Sequence, residues 1–200
     1  SAAYLDTEEV KSSTTYYYKI EAEDKNGNVS ATPASTGITT GTSSTPPLRV
    51  YRASTDFGSI AQGPVWYYQY WNGSSYNNIP SLYVPWNMWR SGTTYLGVGS
   101  NLQSPDGSDA VRTWVAPDDG NITITANGSI SVRDNGTGAD GVKVRVVKNS
   151  TQVWPASGWK TVTYGNPAAF PSTNLSVAKG DSIYFIVNQN VNSYHDAAIW

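Results

Sequence analysis

Between Leu48 and Trp200 apolar and polar residues alternate in short runs. Val142, Val144 and Val146 share one side and Lys143 and Arg145 the other, the two-residue period of a half-buried strand. Ile122 and Ile124, Ile130 and Val132, and Ile183, Phe185 and Val187 repeat it beside turn-forming Gly, Asn and Asp. Leu48–Ser54, Trp66–Trp71, Thr94–Val98, Val111–Ala116, Trp159–Tyr164 and Ala197–Trp200 are read in the same way. No window of similar length carries a helical period. About ten short strands with turn signals every 8–12 residues predict an all-β fold, an antiparallel β-sandwich of jelly-roll type.

Tyr16, Tyr18 and Ile20 alternate with Tyr17, Lys19 and Glu21, and Asp24-Lys25-Asn26-Gly27-Asn28 supplies turn chemistry before Val29-Ser30. That order predicts a short β-hairpin. Residues 31–47, ATPASTGITTGTSSTPP, hold one large apolar residue, Ile38, and no charge, which is a linker composition. As flexible coil they would span about 20–25 Å. Three parts are therefore expected: the fragment 1–30, the linker 31–47 and the sandwich 48–200.

Charge supports this division. All four Glu lie in the first 23 residues, whereas residues 46–200 hold nine Asp, ten Lys plus Arg, no Glu and all eight Trp. Fourteen Tyr accompany those Trp against three Phe, so rings with a polar handle far outnumber wholly apolar ones. The absence of Cys removes thiolate chemistry and Cys-based metal sites, and a single His removes multi-histidine sites. A net charge of −2 gives no basic footprint for nucleic acid. No apolar run approaches the roughly 18 residues of a membrane span, so neither nucleic acid nor membrane is expected as a partner.

A glycosidase ordinarily needs two carboxylates with one pKa raised. Asp106, Asp109, Asp118, Asp119, Asp134 and Asp140 all sit in turn-like contexts, where an aspartate caps or closes a turn. His195 beside Asp196 is no ready dyad, because neighbours on a strand point to opposite faces, and no Gly-x-Ser-x-Gly elbow exists. No catalytic residue is assigned. Sandwich modules can hold a calcium ion where their first and last strands meet, which makes Asp56 and Asp196 the candidate metal pair; two independent turn carboxylates are the other reading. Asp134 and Asp140 lack the ligand density of an EF-hand loop.

The aromatic residues carry more information. A ring stacks on a sugar because C–H groups meet its negative face while both surfaces lose water. In WYYQYW, Tyr67, Gln69 and Trp71 form the set with a polar member, so Trp71 is expected to be exposed, with Tyr76 in the next loop. Trp154 is placed with Gln152, and Trp159 with Thr161 and Thr163. Trp86 and Trp89 flank Asn87-Met88, next to Arg90. Trp71, Tyr76, Trp86, Trp89, Trp154 and Trp159 are the candidate ligand contacts, whereas Trp66 and Trp114 are read as core.

Two resemblances add to this. YLDTEEVKSSTTYYYKIEAEDKNGNVSATPAS resembles the C-terminal half of a fibronectin type III domain, which implies that the chain is a piece of a multimodular protein. ASTDF…QGPVWYYQYWNG, SPDGSDAVRTWVAPDDGNITITANGSISV, GADGVKVRVVKNSTQVWP, VAKGDSIYFIVNQN and HDAAIW, over residues 48–200, together resemble the carbohydrate-binding modules appended to bacterial xanthan-degrading enzymes. Members often carry His at the position of Ser104 and continue with Asp-Pro beyond that of Trp200. The resemblance implies a secreted, extracellular and noncatalytic module that holds a polysaccharide for the catalytic domain of its parent polypeptide. It would need no cofactor beyond a possible structural calcium ion, and a monomer is expected. For an acidic polymer, Arg90, Lys160 and His195 are the expected cationic partners. A structural spacer without sugar affinity is the competing expectation.

Overall fold

In the computed structural model the structure describes residues 14–17, 25–28, 37–39, 49–92, 94–126 and 128–200. The chain divides into two units, Ser1–Val50 and Tyr51–Trp200. In the first, β1 (Thr15–Tyr17) pairs antiparallel with β2 (Gly37–Thr39), Thr15 opposite Thr39. The strand β2 thus lies inside the segment whose composition reads as linker, because three residues suffice to extend a ladder that β1 offers. The rest of the expected hairpin, Tyr18–Asp24 and Val29–Ser30, lies outside the described residues, as do 31–36 and 40–47 of the expected linker.

The second unit is the predicted sandwich. Its strands are β3 (Trp66–Trp71), β4 (Tyr76–Asn78), β5 (Ser81–Tyr83), β6 (Met88–Arg90), β7 (Gly97–Gly99) and β8 (Leu102–Ser104). They continue with β9 (Asp109–Val115), β10 (Gly120–Ile124), β11 (Ser129–Val132), β12 (Val142–Lys148), β13 (Thr151–Trp154) and β14 (Lys160–Val162). The last are β15 (Ala168–Ala169), β16 (Thr173–Val177), β17 (Ser182–Asn188) and β18 (Ala198–Ile199). One sheet runs β15-β11-β18-β8-β7-β6-β5 and the other β13-β12-β17-β9-β3-β4, with β14 also on β12, while β10 and β16 form a separate two-stranded ribbon. The expected strand at Leu48–Ser54 is absent over its described part; there Asp56 closes a turn, its Oδ2 accepting from the Arg52 amide at 2.6 Å.

The core lies between the sheets. Val142, Val144, Val146, Ile183, Val187 and Trp114 meet Ile130, Val132, Ala168 and Ala198, so period-two alternation on β12 and β17 delivers one apolar face to the opposite sheet. A second cluster joins Tyr68 and Ala110 to Trp89, Leu96 and Val98. Arg112 crosses the same interior. Its Nη2 donates to the carbonyls of Gly99 (2.6 Å) and Ser100 (3.0 Å), and its Nη1 to that of Trp200 (3.1 Å). Burial lowers its pKa to about 10, still high enough to leave the guanidinium charged at neutral pH.

Candidate functional site

Aromatic side chains gather at two places. The first is the outer face of the β12-β17-β9-β3 sheet. Register places Arg145 opposite Ile186, Ile186 opposite Val111, and Val111 opposite Gln69. Val111, Val147 and Ile186 are apolar on a face that would otherwise meet water, yet all three are buried because Trp71, Tyr76, Tyr184 and Trp159 pack over them. Tyr76 stacks on Tyr184 at 3.9 Å and 9°, and Trp71 tilts against Tyr76 at 4.6 Å. The Arg145 guanidinium lies 4.1 Å from the centre of the Trp159 ring. Burial pushes the Tyr76 phenol up to about 12, so it stays protonated at neutral pH. Burial likewise raises the Asp109 carboxyl, opposed by a 2.6 Å hydrogen bond from Asn188 and by the Arg145 charge.

The second gathering stands at one edge of the other sheet. Pro85 lies in a 3-10 turn over Val84–Trp86, and Asn87 then takes a left-handed conformation (φ 44°) that starts β6. The turn throws Trp86 outward, 54% exposed, beside Tyr83 (39%) and Tyr95 (63%). Trp86 and Tyr95 lie nearly parallel, 17° apart with ring centres separated by 6.1 Å, and Tyr83 meets Trp86 edge-on at 5.2 Å. Arg90 approaches all three, its guanidinium carbon 4.6 Å from the Trp86 centre, 4.9 Å from Tyr95 and 5.1 Å from Tyr83. Its Nε donates to the Thr94 carbonyl at 2.7 Å, and the Tyr95 amide donates to Asp106 at 2.9 Å, fixing both flanks. Trp86 also forms one wall of a cleft of about 300 Å³ whose other walls include Ser100, Asn101 and Arg133. Buried Arg112 holds the Gly99 and Ser100 carbonyls behind this cleft.

The structure thus sorts the expected contacts. Trp71, Tyr76 and Trp159 share the outer sheet face, half-buried rather than exposed, with Tyr76 on β4 instead of in a loop. Trp86 and Arg90 belong to the edge cluster. Lys160 is exposed on β14. Trp89 is core: it is 8% exposed, and its Nε1 donates to the Gly58 carbonyl at 2.7 Å. Trp154 also packs inward, against Phe170 and Trp200. The reason is a β-bulge: Trp154 faces Val146 while Gln152 faces Val147, so the two-residue period breaks at Val153 and both Val153 and Trp154 join the core. Trp114 is core as expected, and Trp66 packs between the two interior clusters. Tyr83, Tyr95, Tyr184, Arg133 and Arg145 escape a sequence reading that weighs Trp and loop placement, because only strand pairing brings them beside the others.

The acidic candidates separate. Asp56 serves its own turn and contacts Arg52 and Thr55. Asp196 is 2% exposed, too deep for a polymer to reach, and its neighbour is Asp140. Burial first, and the Asp140 charge second, push its carboxyl up to about 7. Among the described residues no group of three or more His, Cys, Asp or Glu side chains converges on a metal position, and no helix is long and apolar enough to cross a membrane. The edge cluster can do two things chemically: offer flat apolar rings, and offer positive charge close to them. Comparison with known protein families, characterised proteins and solved structures yields no match for this chain.

Proposed function

We propose that residues 51–200 form a noncatalytic polysaccharide-binding module, and that sugar is held at the edge cluster of Tyr83, Trp86, Arg90 and Tyr95 and in the adjoining cleft. The observation that carries this reading is the exposure of Trp86 and Tyr95 around a fixed arginine. A core has no use for rings standing in water, whereas a sugar face stacked on them removes apolar surface from both partners. Asn101 and Ser100 offer hydrogen bonds to hydroxyl groups, and Arg90 and Arg133 offer charge to a carboxylate. An anionic polymer such as xanthan, with its uronic acid and pyruvate groups, suits that combination.

Tethering is the mechanism. Affinities from micromolar to millimolar, about 4–8 kcal/mol, are enough when a module is joined to a catalytic domain, because linkage raises the effective concentration at the polymer surface. In this reading the module is exported with a glycan-degrading parent enzyme and binds as a monomer. A spacer with no sugar affinity is the second reading, favoured by the packing of Trp71, Tyr76, Tyr184 and Trp159 on one another and on the sheet. Affinity electrophoresis in gels containing xanthan, cellulose derivatives, xylan or mannan separates the two. Retardation by xanthan, weakening as salt screens the arginines, is the expected outcome; unchanged mobility in every gel would leave the spacer.

A further inference from the structure

The loops that lead into β3 enclose a second cleft, of about 290 Å³, which shares no lining residue with the one beside Trp86. Its two limbs, residues 56–58 and 61–65, approach so closely that a side chain on Gly58 would strike the Ala61 carbonyl. Tyr51 and Trp66, both half-buried, stand in its wall, and wholly buried Tyr68 lies deepest. Each ring is held by a neighbour. Tyr51 meets Trp114 edge-on at 5.6 Å, Trp66 tilts against Phe185 at 6.4 Å, and Tyr68 packs on Phe57 at 4.7 Å. Rings fixed in this way lose little freedom when a ligand arrives.

The polar lining is one-sided. The Gly58 N–H is spent on the Tyr68 hydroxyl at 2.7 Å, the Gly63 N–H on the Trp66 carbonyl at 2.7 Å and the Asp56 N–H on the Arg52 carbonyl at 2.8 Å, while Pro64 has none. Among the described residues that line the cleft, Asp56 is the only charged one. Its Oδ2 is taken up by the Arg52 amide at 2.6 Å, whereas Oδ1 has a single long contact, 3.3 Å from the Thr55 hydroxyl, and keeps lone pairs to spare. An anion would meet a carboxylate with few donors to offset it. A cation would meet that carboxylate and the negative faces of the rings. A wall so largely apolar does not supply the three acceptors that a bare ammonium needs, so methyl groups on the nitrogen suit it better than N–H groups.

We infer that this cleft binds a small methylated ammonium group, attracted by Asp56 and held against Tyr51 and Trp66 by cation–π contact. The volume is that of a site for a small head group rather than for a polymer. Its charge preference is the reverse of that at Arg90 and Arg133, so the two sites act independently.

Choline is the probe, and the control is its neutral carbon isostere, in which a tert-butyl group replaces the trimethylammonium. Saturation-transfer NMR and intrinsic tryptophan fluorescence are followed on the whole chain at matched ionic strength. A ligand of so few atoms should bind with a Kd of about 0.1–10 mM, about tenfold tighter than the isostere. Asp56→Asn, which keeps an amide oxygen for the turn, should weaken choline binding about tenfold, and Tyr51→Leu, which keeps apolar packing on Trp114, about threefold to tenfold. Trp86→Ala should bind choline as the wild type does. A wild-type protein that shows no transfer from choline, or that binds the isostere as tightly, would overturn the inference. Wild-type affinity in Asp56→Asn would do the same, and loss of binding in Trp86→Ala would move the cation to the edge cluster and refute this site.

Discussion

Two tryptophans three residues apart have opposite work. Trp89 fills the core against Tyr68 and spends its indole N–H on the Gly58 carbonyl, while Trp86 stands in water over Arg90. Removing the first ring opens a cavity and orphans a carbonyl; removing the second takes away half-exposed surface and its contacts with Tyr83, Tyr95 and Arg90, and leaves no cavity. Trp89→Ala should therefore cost about 3–5 kcal/mol of unfolding free energy, and Trp86→Ala no more than about 1 kcal/mol. Chemical denaturation of both variants checks the contrast. Equal destabilisation would mean that Trp86 is structural and would withdraw it as a sugar platform.

At the level of elements, the β12–β13 hairpin is tied to β17 through one aspartate. Asp181 accepts from Asn149 Nδ2 at 2.8 Å and from the Ala178 amide at 2.9 Å, and Lys148 Nζ lies 2.9 Å from its Oδ2. These contacts, the Asn149 hydrogen bond foremost, hold the carboxyl well below the usual carboxylate range. A depressed folded pKa means that the unfolded chain takes up its proton first as pH falls. The stabilisation is thus complete above about pH 5 and is lost as acid approaches the folded value. Asp181→Asn should unfold more easily than wild type at pH 7, with the gap closing toward pH 2; a gap that does not change with pH would contradict the assignment. How much the sequence reveals differs between elements. Long strands with alternating valine and isoleucine, β12 and β17 above all, are legible because one face is buried over seven residues. The three-residue strands β5 to β8 are not, since their register comes from neighbours rather than from a period. One bulge at Val153 suffices to send Trp154 from the expected outer face into the core.

Across the whole molecule, two sheets held by an apolar core are also joined by a buried arginine. Arg112 on β9 reaches the carbonyls that end β7 and flank the cleft, so the sandwich interior shapes the surface at which Trp86 stands. The proposed sugar site draws Tyr83, Trp86, Arg90 and Tyr95 from successive short strands and turns, with Arg133 brought in from beyond β11. Trp86 and Arg90 are legible as aromatic and cationic neighbours in a turn-rich segment. Arg133 is not, because only the strand order β11-β18-β8-β7 carries it there. The most direct measurement is the retardation of Trp86→Ala in a xanthan gel beside wild type, at equal thermal stability. Binding by the variant should be roughly tenfold to thirtyfold weaker, equivalent to about 1.4–2 kcal/mol; wild-type retardation of the variant would contradict a sugar platform at Trp86.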